Sequence, residues 1–350
     1  TNNSSNLESF YIEKVETDCG KIKVSSEPVK EVMLILLRLA EMPEAVFPYY
    51  GNSDFNVAVE TWFTKYKNHN SVKVIKNMMK DYSYDDFISI TNIINDEMTG
   101  FTCEVKSYPY YVNSNWNKKN AEKVLTAMNV FARETKFDKF YLLNRASYIT
   151  MQTGVQNTLE DGTIQKFLSE AYLSGKDAKI KIHISELLCG NVMYYGTGTE
   201  TEYVQCLSPY YSKEYYYILL SNLTKVIVNP MLSSIDESKF KIIEDNINII
   251  RQKNGMEQLK GDEIKYFVLN DFIGLGNLIY CRDNDKKDDY ETLLSQYKQN
   301  FGQIFMDDIV SAWDAYFADE VEKRDIRDFL KNEGIEADIT LYKSIVERIQ

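Results

Sequence analysis

Two histidines, His69 and His183, are the whole imidazole inventory of this 350-residue chain, and no helix face can carry both. A zinc site that grips its metal through histidines at i and i+4 is therefore outside its repertoire. His69 stands just ahead of Asn70 and Ser71, a position that suits a helix-end or capping role. His183 lies in AKIKIHIS, Ala178 to Ser185, whose strict alternation predicts a half-exposed strand. Ile180, Ile182 and Ile184 then share the covered face, and Lys181, His183 and Ser185 the solvated one. For acid–base work the candidates are carboxylates. Glu186, Glu202 and Asp271 could serve a metal-independent hydrolase if one acid had a raised pKa and a second stood at working distance. Asp283, Asp285 and Asp289 in RDNDKKDDYE have the outline of a calcium loop, but Lys287 replaces a ligand, the glycine is missing and Leu294 stands where glutamate is needed. Gly274 and Gly276 form a lone G-x-G with no preceding strand, which argues against a dinucleotide site. The five cysteines, Cys19, Cys103, Cys189, Cys206 and Cys281, are too scattered for a metal knuckle, and their odd number excludes complete pairing; a pair such as Cys189 with Cys206 stays open.

The stretch from Leu219 to Leu232, LLSNLTKVIVNPML, carries the most specific pattern. On spacing alone Leu219, Leu220, Leu223, Val226 and Ile227 make it an apolar core helix. Ser221 to Pro230, SNLTKVIVNP, also resembles a segment that runs HEFSHSFVNP or close to it in a bacterial domain-of-unknown-function family of exported zincin-like, or gluzincin-like, metalloproteases. In H-E-x-x-H, two imidazoles on one helix face hold the zinc ion while the glutamate polarises the bound water. Here Val228, Asn229 and Pro230 keep the family's VNP, but Ser221 and Lys225 occupy the histidine positions and Asn222 the glutamate. A hydroxyl is a poor zinc ligand at neutral pH, an ammonium repels the cation, and a carboxamide cannot take a proton from water.

The resemblance thus implies a degenerate member with no zinc-type catalytic residue, no metal and no cofactor. It reaches from Val29 to Tyr280 and includes KNHNSVKVI at Lys67 to Ile75 and NVMYYG at Asn191 to Gly196. It implies that the carboxylate which would complete the metal site is Asp271, in VLNDFIGLGN, and that a Lys225–Asp271 ion pair replaces the cation. In zincins the strand before the zinc helix lies along the cleft and pairs with extended substrate. That implies a binding cleft marked by His183, Tyr194, Tyr195 and Asn229.

A net charge of -12 with a pI near 4.9 argues against nucleic-acid binding, which needs clustered Lys and Arg. The longest apolar run, around Val32 to Leu37, is too short to span a bilayer. The opening TNNSSN lacks an initiator Met and has the polar character of a tether behind an export signal, so an extracellular or envelope-attached location is expected. Tyrosine is abundant, at 26 residues, and clusters at Tyr108, Tyr110 and Tyr111, at Tyr194 and Tyr195, and from Tyr210 to Tyr217, which would suit an aromatic recognition groove.

These residues need an α+β frame, predominantly helical, and the resemblance makes it zincin-like, with a small sheet beside a central helix. The expected organisation is an N-terminal segment over 1–25, a helical lobe over 26–175, and sheet, degenerate zinc helix and closing helices over 176–350. Ser26, Glu27 and Pro28 signal a helix start before Val29 to Met42, and the run Val32 to Leu37 predicts deep burial. Further starts follow Ser53, Ser71, Ser83 and Asn117, with Ser83 and Asp86 at capping-box spacing. Thr158 to Leu173 reads as one amphipathic segment. After Pro230, helices are expected through Phe240 to Ile250, Asp262 to Tyr280, Asp289 to Asn300, Gln303 to Asp319 and Ile335 to Gln350. The functional expectation is a catalytically inactive metalloprotease-like protein that holds a peptide, protein or glycan in its inherited cleft; the alternative is the hydrolase of paired carboxylates.

Overall fold

The computed structural model describes residues 10–46, 50–97, 100–102, 116–171, 178–190, 192–197, 201–209, 211, 215–233, 237–300, 303 and 306–318. Cys103, Asn191, Tyr108, Tyr110, Tyr111, Tyr210 and the segment from Ile335 to Gln350 lie outside them. The chain is predominantly helical with a small five-stranded sheet, an α+β arrangement. Its contacts divide it into two units, Thr1–Glu160 with Lys179–Lys213, and Asp161–Ala178 with Glu214–Gln350. The division expected near residue 175 would have left the sheet with the C-terminal half; contacts group it with the N-terminal helices.

The reason lies in strands absent from the sequence reading. Residues 15–26, expected as part of a plain N-terminal segment, form a hairpin of β1 (Val15–Cys19) and β2 (Ile22–Ser26), turned at Gly20 with φ +76. β2 pairs in parallel with β5 (Ala178–Ile184), Val24 facing Ile182 and Ser25 facing His183. β6 (Val192–Thr197) and β7 (Thr201–Leu207) complete the order β1-β2-β5-β7-β6. A parallel pair needs a long crossover, and here it encloses every helix of the first unit.

That crossover begins with α1 (Pro28–Leu39), in which Pro28 takes the first helical position and every residue from Pro28 to Leu37 is buried. Glu27, not Ser26, is its N-cap. α1 packs against α2 (Pro43–Val46), α3 (Asp54–Phe63), α4 (Asn70–Met78), α5 (Tyr84–Ile90) and α6 (Lys118–Glu134). Several helix starts are as expected: Ser53 accepts the Asn56 amide, Asn117 accepts that of Asn120, and Ser83 with Asp86 forms a full capping box. α4 starts at Asn70 rather than after Ser71, and His69 takes the capping role expected of it, its Nδ1 accepting the Ser71 amide at 3.0 Å while Nε2 meets Glu134 at 2.6 Å. A short hairpin, β3 (Asn95–Glu97) and β4 (Gly100–Thr102), has no counterpart in the sequence reading.

α7 (Phe137–Leu143) and α8 (Arg145–Leu159) close the unit. Rings of Phe55, Phe63, Phe131, Phe137 and Phe140 meet at centroid distances of 4.9 to 6.3 Å, which gives the helices one shared aromatic core. The two helices also grip the open end of the first hairpin. Tyr141 Oη accepts the Val15 amide at 3.0 Å and donates to the Ser26 carbonyl at 2.6 Å. Gln152 Nε2 donates to the Val15 carbonyl and the Ser26 hydroxyl, each at 3.0 Å.

The second unit is helical. The segment expected to run through Thr158 to Leu173 is broken at Gly162, φ +72, so α8 stops at Leu159 and α9 (Thr163–Ala171) starts afresh. α10 (Tyr215–Ser233) spans the stretch from Leu219 to Leu232, followed by α11 (Glu237–Lys253), α12 (Asp262–Asp283), α13 (Lys287–Asn300) and α14 (Met306–Ala318). α12 packs against α10, α13 and α14. Phe240, Ile243, Ile247 and Ile250 are all buried, as their spacing demands. Among the described residues no helix is long and apolar enough to cross a membrane.

Tyr141→Phe should expose the weight of the hairpin grip, because it strands the buried Val15 amide and removes a donor from Ser26. Urea unfolding should show a loss of about 1–3 kcal/mol.

Candidate functional site

α10 is helical through the whole motif, so Ser221 and Lys225 do stand one turn apart on it. Leu219, Leu220, Leu223, Val226 and Ile227 are buried, and this face anchors the helix in its unit. The polar positions are committed to structure. Ser221 Oγ accepts a hydrogen bond from Asn277 Nδ2 of α12 at 2.9 Å, and the same amide donates to Tyr297 Oη of α13 at 2.9 Å. Asn222 Nδ2 donates to the Ile218 carbonyl one turn back at 2.8 Å. Tyr297 is drawn into this seam; burial pushes its phenol up, against the lowering effect of the Asn277 contact.

Asp271, also on α12, is buried, and its Oδ1 accepts from Gln303 Nε2 at 3.0 Å. The expected ion pair is not formed: no salt bridge within 4.0 Å joins Lys225 to Asp271 among the described residues. Lys225 is only half-buried, and the buried aspartate has the Gln303 amide as a donor. Gly274, between Asp271 and Asn277, lets the next helix come close, since a Cβ there would lie 2.7 Å from Met306 Cε and 3.4 Å from the Tyr297 ring. The buried atoms Thr224 Oγ1, Asn277 Oδ1 and Gln303 Oε1 have no hydrogen-bond partner among the described residues. Among those residues no group of three or more His, Cys, Asp or Glu could hold a metal ion.

The cleft residues fare differently. His183, expected on a solvated face, is 1% exposed and belongs to the core of the first unit. Its strand is not an edge either, because β5 lies between β2 and β7 and has no free side on which to pair with a substrate. The alternation in AKIKIHIS holds at Lys179, which is exposed, and at half-buried Lys181, whose ammonium reaches Glu202 at 2.9 Å; burial works against that charge, but Glu202 outweighs it and the pKa is raised. Ser185 is as buried as the isoleucines. Tyr194 and Tyr195 lie on β6, the outermost strand. Asn229 is exposed on α10, in the other unit.

His183 instead joins a buried polar cluster that sequence reasoning missed. Its Nδ1 accepts the Glu27 amide at 3.0 Å, and its Nε2 lies 3.4 Å from Glu31 Oε1. Lys30 and Glu31, adjacent on α1, are 2% and 0% exposed. Lys30 Nζ is fully engaged, with Glu27 Oε2 at 2.9 Å, Thr91 Oγ1 at 3.0 Å and Asn92 Oδ1 at 2.8 Å. Glu31 Oε2 has Tyr148 Oη at 3.5 Å, and burial beside that carboxyl raises the phenol. Burial alone would raise Glu27 as well, but Lys30, His183 and Lys14 overcome it and hold its carboxyl at about 2. The available signal was Glu27, Lys30 and Glu31 directly ahead of the apolar run Val32 to Leu37.

The three carboxylates of the hydrolase alternative are held by separate partners. Glu186 accepts from Ser53 Oγ at 2.5 Å and Tyr211 Oη at 2.6 Å, Glu202 from Lys181, and Asp271 from Gln303. Asp271 belongs to the second unit and the other two to the first. The acidic turn after α12 binds internally too, with Asp289 accepting from Tyr216 Oη at 2.6 Å; the Tyr216 and Tyr217 hydroxyls lower its pKa. Cys189, Cys206 and Cys281 are free thiols, so Cys189 and Cys206 are not joined, and burial pushes Cys206 up to about 12.

Compared with known protein families, curated proteins and solved structures, the chain matches no family model, no curated protein and no solved structure.

Two predictions follow from these geometries. Lys225→Ala should change the unfolding free energy by no more than ~0.5 kcal/mol, whereas Asn277→Ala, which unties α10 from α12 and α13, should cost about 1–3 kcal/mol in the same urea titration. Because the folded Glu27 carboxyl titrates at about 2, below its ordinary value of 4.5, its contribution is complete above 4.5 and is lost as the pH falls toward 2. Glu27→Gln should flatten the fall in thermal midpoint across that window.

Proposed function

We propose that this chain is a zincin-like pseudoenzyme, a degenerate relative of exported metalloproteases that holds a partner without cutting it. One observation carries the reading: the Ser221 hydroxyl, at the position of the first zinc-binding histidine, serves as acceptor for Asn277. A side chain that would have to face a metal is spent on helix packing, and the next ligand position, Lys225, brings a positive charge. The packing of α10 on α12, the helix that carries Asp271, supports descent from a site built across two helices.

The partner we favour is an extended peptide. β6 is an outermost strand that pairs only with β7 among the described residues, and its sequence, VMYYGT, carries no charge. The opposite edge strand, β1, carries Glu16 and Asp18, the kind of charge that discourages strand addition. A protein or glycan ligand on the Tyr194 and Tyr195 strand is the other form of the same reading, at the cell envelope as the resemblance implies.

Metal analysis and zinc titration of the purified protein test the first half. Zinc should stay far below one equivalent and titrate no tight site; near-stoichiometric retained zinc would sink the proposal. Peptide and glycan arrays test the second, with bound peptides expected to be recovered intact.

A further inference from the structure

We propose that His183 is a proton-sensitive latch that ties the sheet to the start of α1, closed while its ring is neutral and opened when the ring takes a second proton. The geometry fixes the tautomer first. The Glu27 amide donates to Nδ1 at 3.0 Å, and an amide can only donate, so Nδ1 is the bare nitrogen and the single ring proton sits on Nε2. Nε2 lies 3.4 Å from Glu31 Oε1, and neither atom has a hydrogen-bond partner of good geometry.

A second proton can enter the ring only at Nδ1. It would set N–H against N–H at the one contact that satisfies the N-cap amide of α1. The neighbourhood also gives that proton a reason to come: the buried Glu31 carboxyl faces Nε2, and Glu27 lies beside the ring. The remaining groups do not offer it another partner. Lys30 is saturated by Glu27, Thr91 and Asn92; Tyr148 of α8 is itself a donor to Glu31; Cys206 of β7 is a buried thiol; Lys14 adds positive charge near Glu27. Proton uptake at His183 is therefore coupled to loss of the Glu27 contact, while the carboxylate that favours the charge keeps the ring in place until the amide lets go.

The bond matters because of where it lies. Ser25 pairs with His183 across β2 and β5, Ser26 Oγ donates to the Ile184 carbonyl at 3.0 Å, and Glu27 begins α1. The latch thus sits at the hinge between the parallel strand pair and the most deeply buried helix, and its opening frees the first turn of α1 without touching the aromatic core.

With two histidines in the chain, ring nitrogen spectra contain two spin systems, and His69, also capped through Nδ1, serves as internal comparison. At pH ~7.5, His183 should show the Nε2–H tautomer. On acidification that stays above the Glu27 window, any conversion of the ring to imidazolium should be matched step for step by a fall of about tenfold in the exchange protection of the Glu27 amide. His183→Asn, whose Oδ1 can accept from Glu27 but cannot titrate, should hold that protection constant over the same range. Three results would overturn the latch: an Nδ1–H tautomer at neutral pH, imidazolium formation with the Glu27 amide still protected, or an unchanged acid response in the His183→Asn protein. If that variant does not fold, the wild-type spectra decide alone.

Discussion

The parallel pairing of β2 with β5 is the constraint on which the first unit rests. It joins residues some 150 positions apart, so everything between must fold back as a crossover, and the chain leaving β2 must enter a helix inside the core rather than at the surface. Ser26 and Glu27 are that entry. Their polar groups are buried among elements distant in sequence: the Ser26 carbonyl goes to Tyr141, its hydroxyl to Ile184 and Gln152, and the Glu27 amide to His183. Without those partners each group would be stranded in the interior, at a cost comparable with a large part of a domain's net stability.

The same constraint explains why α1 carries Lys30 and Glu31 where its neighbours are aliphatic. A helix buried from its first turn has no water for its cap, so the Glu27 amide goes to His183 Nδ1, while the buried charges of Lys30 and Glu31 find partners in Glu27, Thr91 and Asn92 and in His183. In the second unit the polar seam of Ser221, Asn277 and Tyr297 has a comparable part, holding α10, α12 and α13 in register through one carboxamide. In both units the buried polar groups that invite a catalytic reading are engaged in fastening helices.

Local signals were legible where one element supplies both the residue and its environment. Ser83 with Asp86, Asn117, Ser53 and the Pro28 start could be read because a cap needs only neighbours within four residues. The helix through Leu219 to Leu232 was readable as an apolar helix for the same reason. The hairpin of β1 and β2 was not, since five-residue strands of mixed polarity carry little periodic signal, and His183 was misplaced because alternation reports which residues share a face and not whether a helix covers it.

By itself the sequence determined the α+β character, the run of buried α1, and the apolar helix through Leu219 to Leu232. These depend on residue type and short spacing, which the chain carries locally. Only the tertiary structure decided that the sheet belongs with the N-terminal helices, that Ser221 accepts a hydrogen bond from Asn277, and that His183 lies within the core. Each of those depends on which distant segment supplies the facing atoms, and burial is a property of the assembled neighbourhood rather than of the residue.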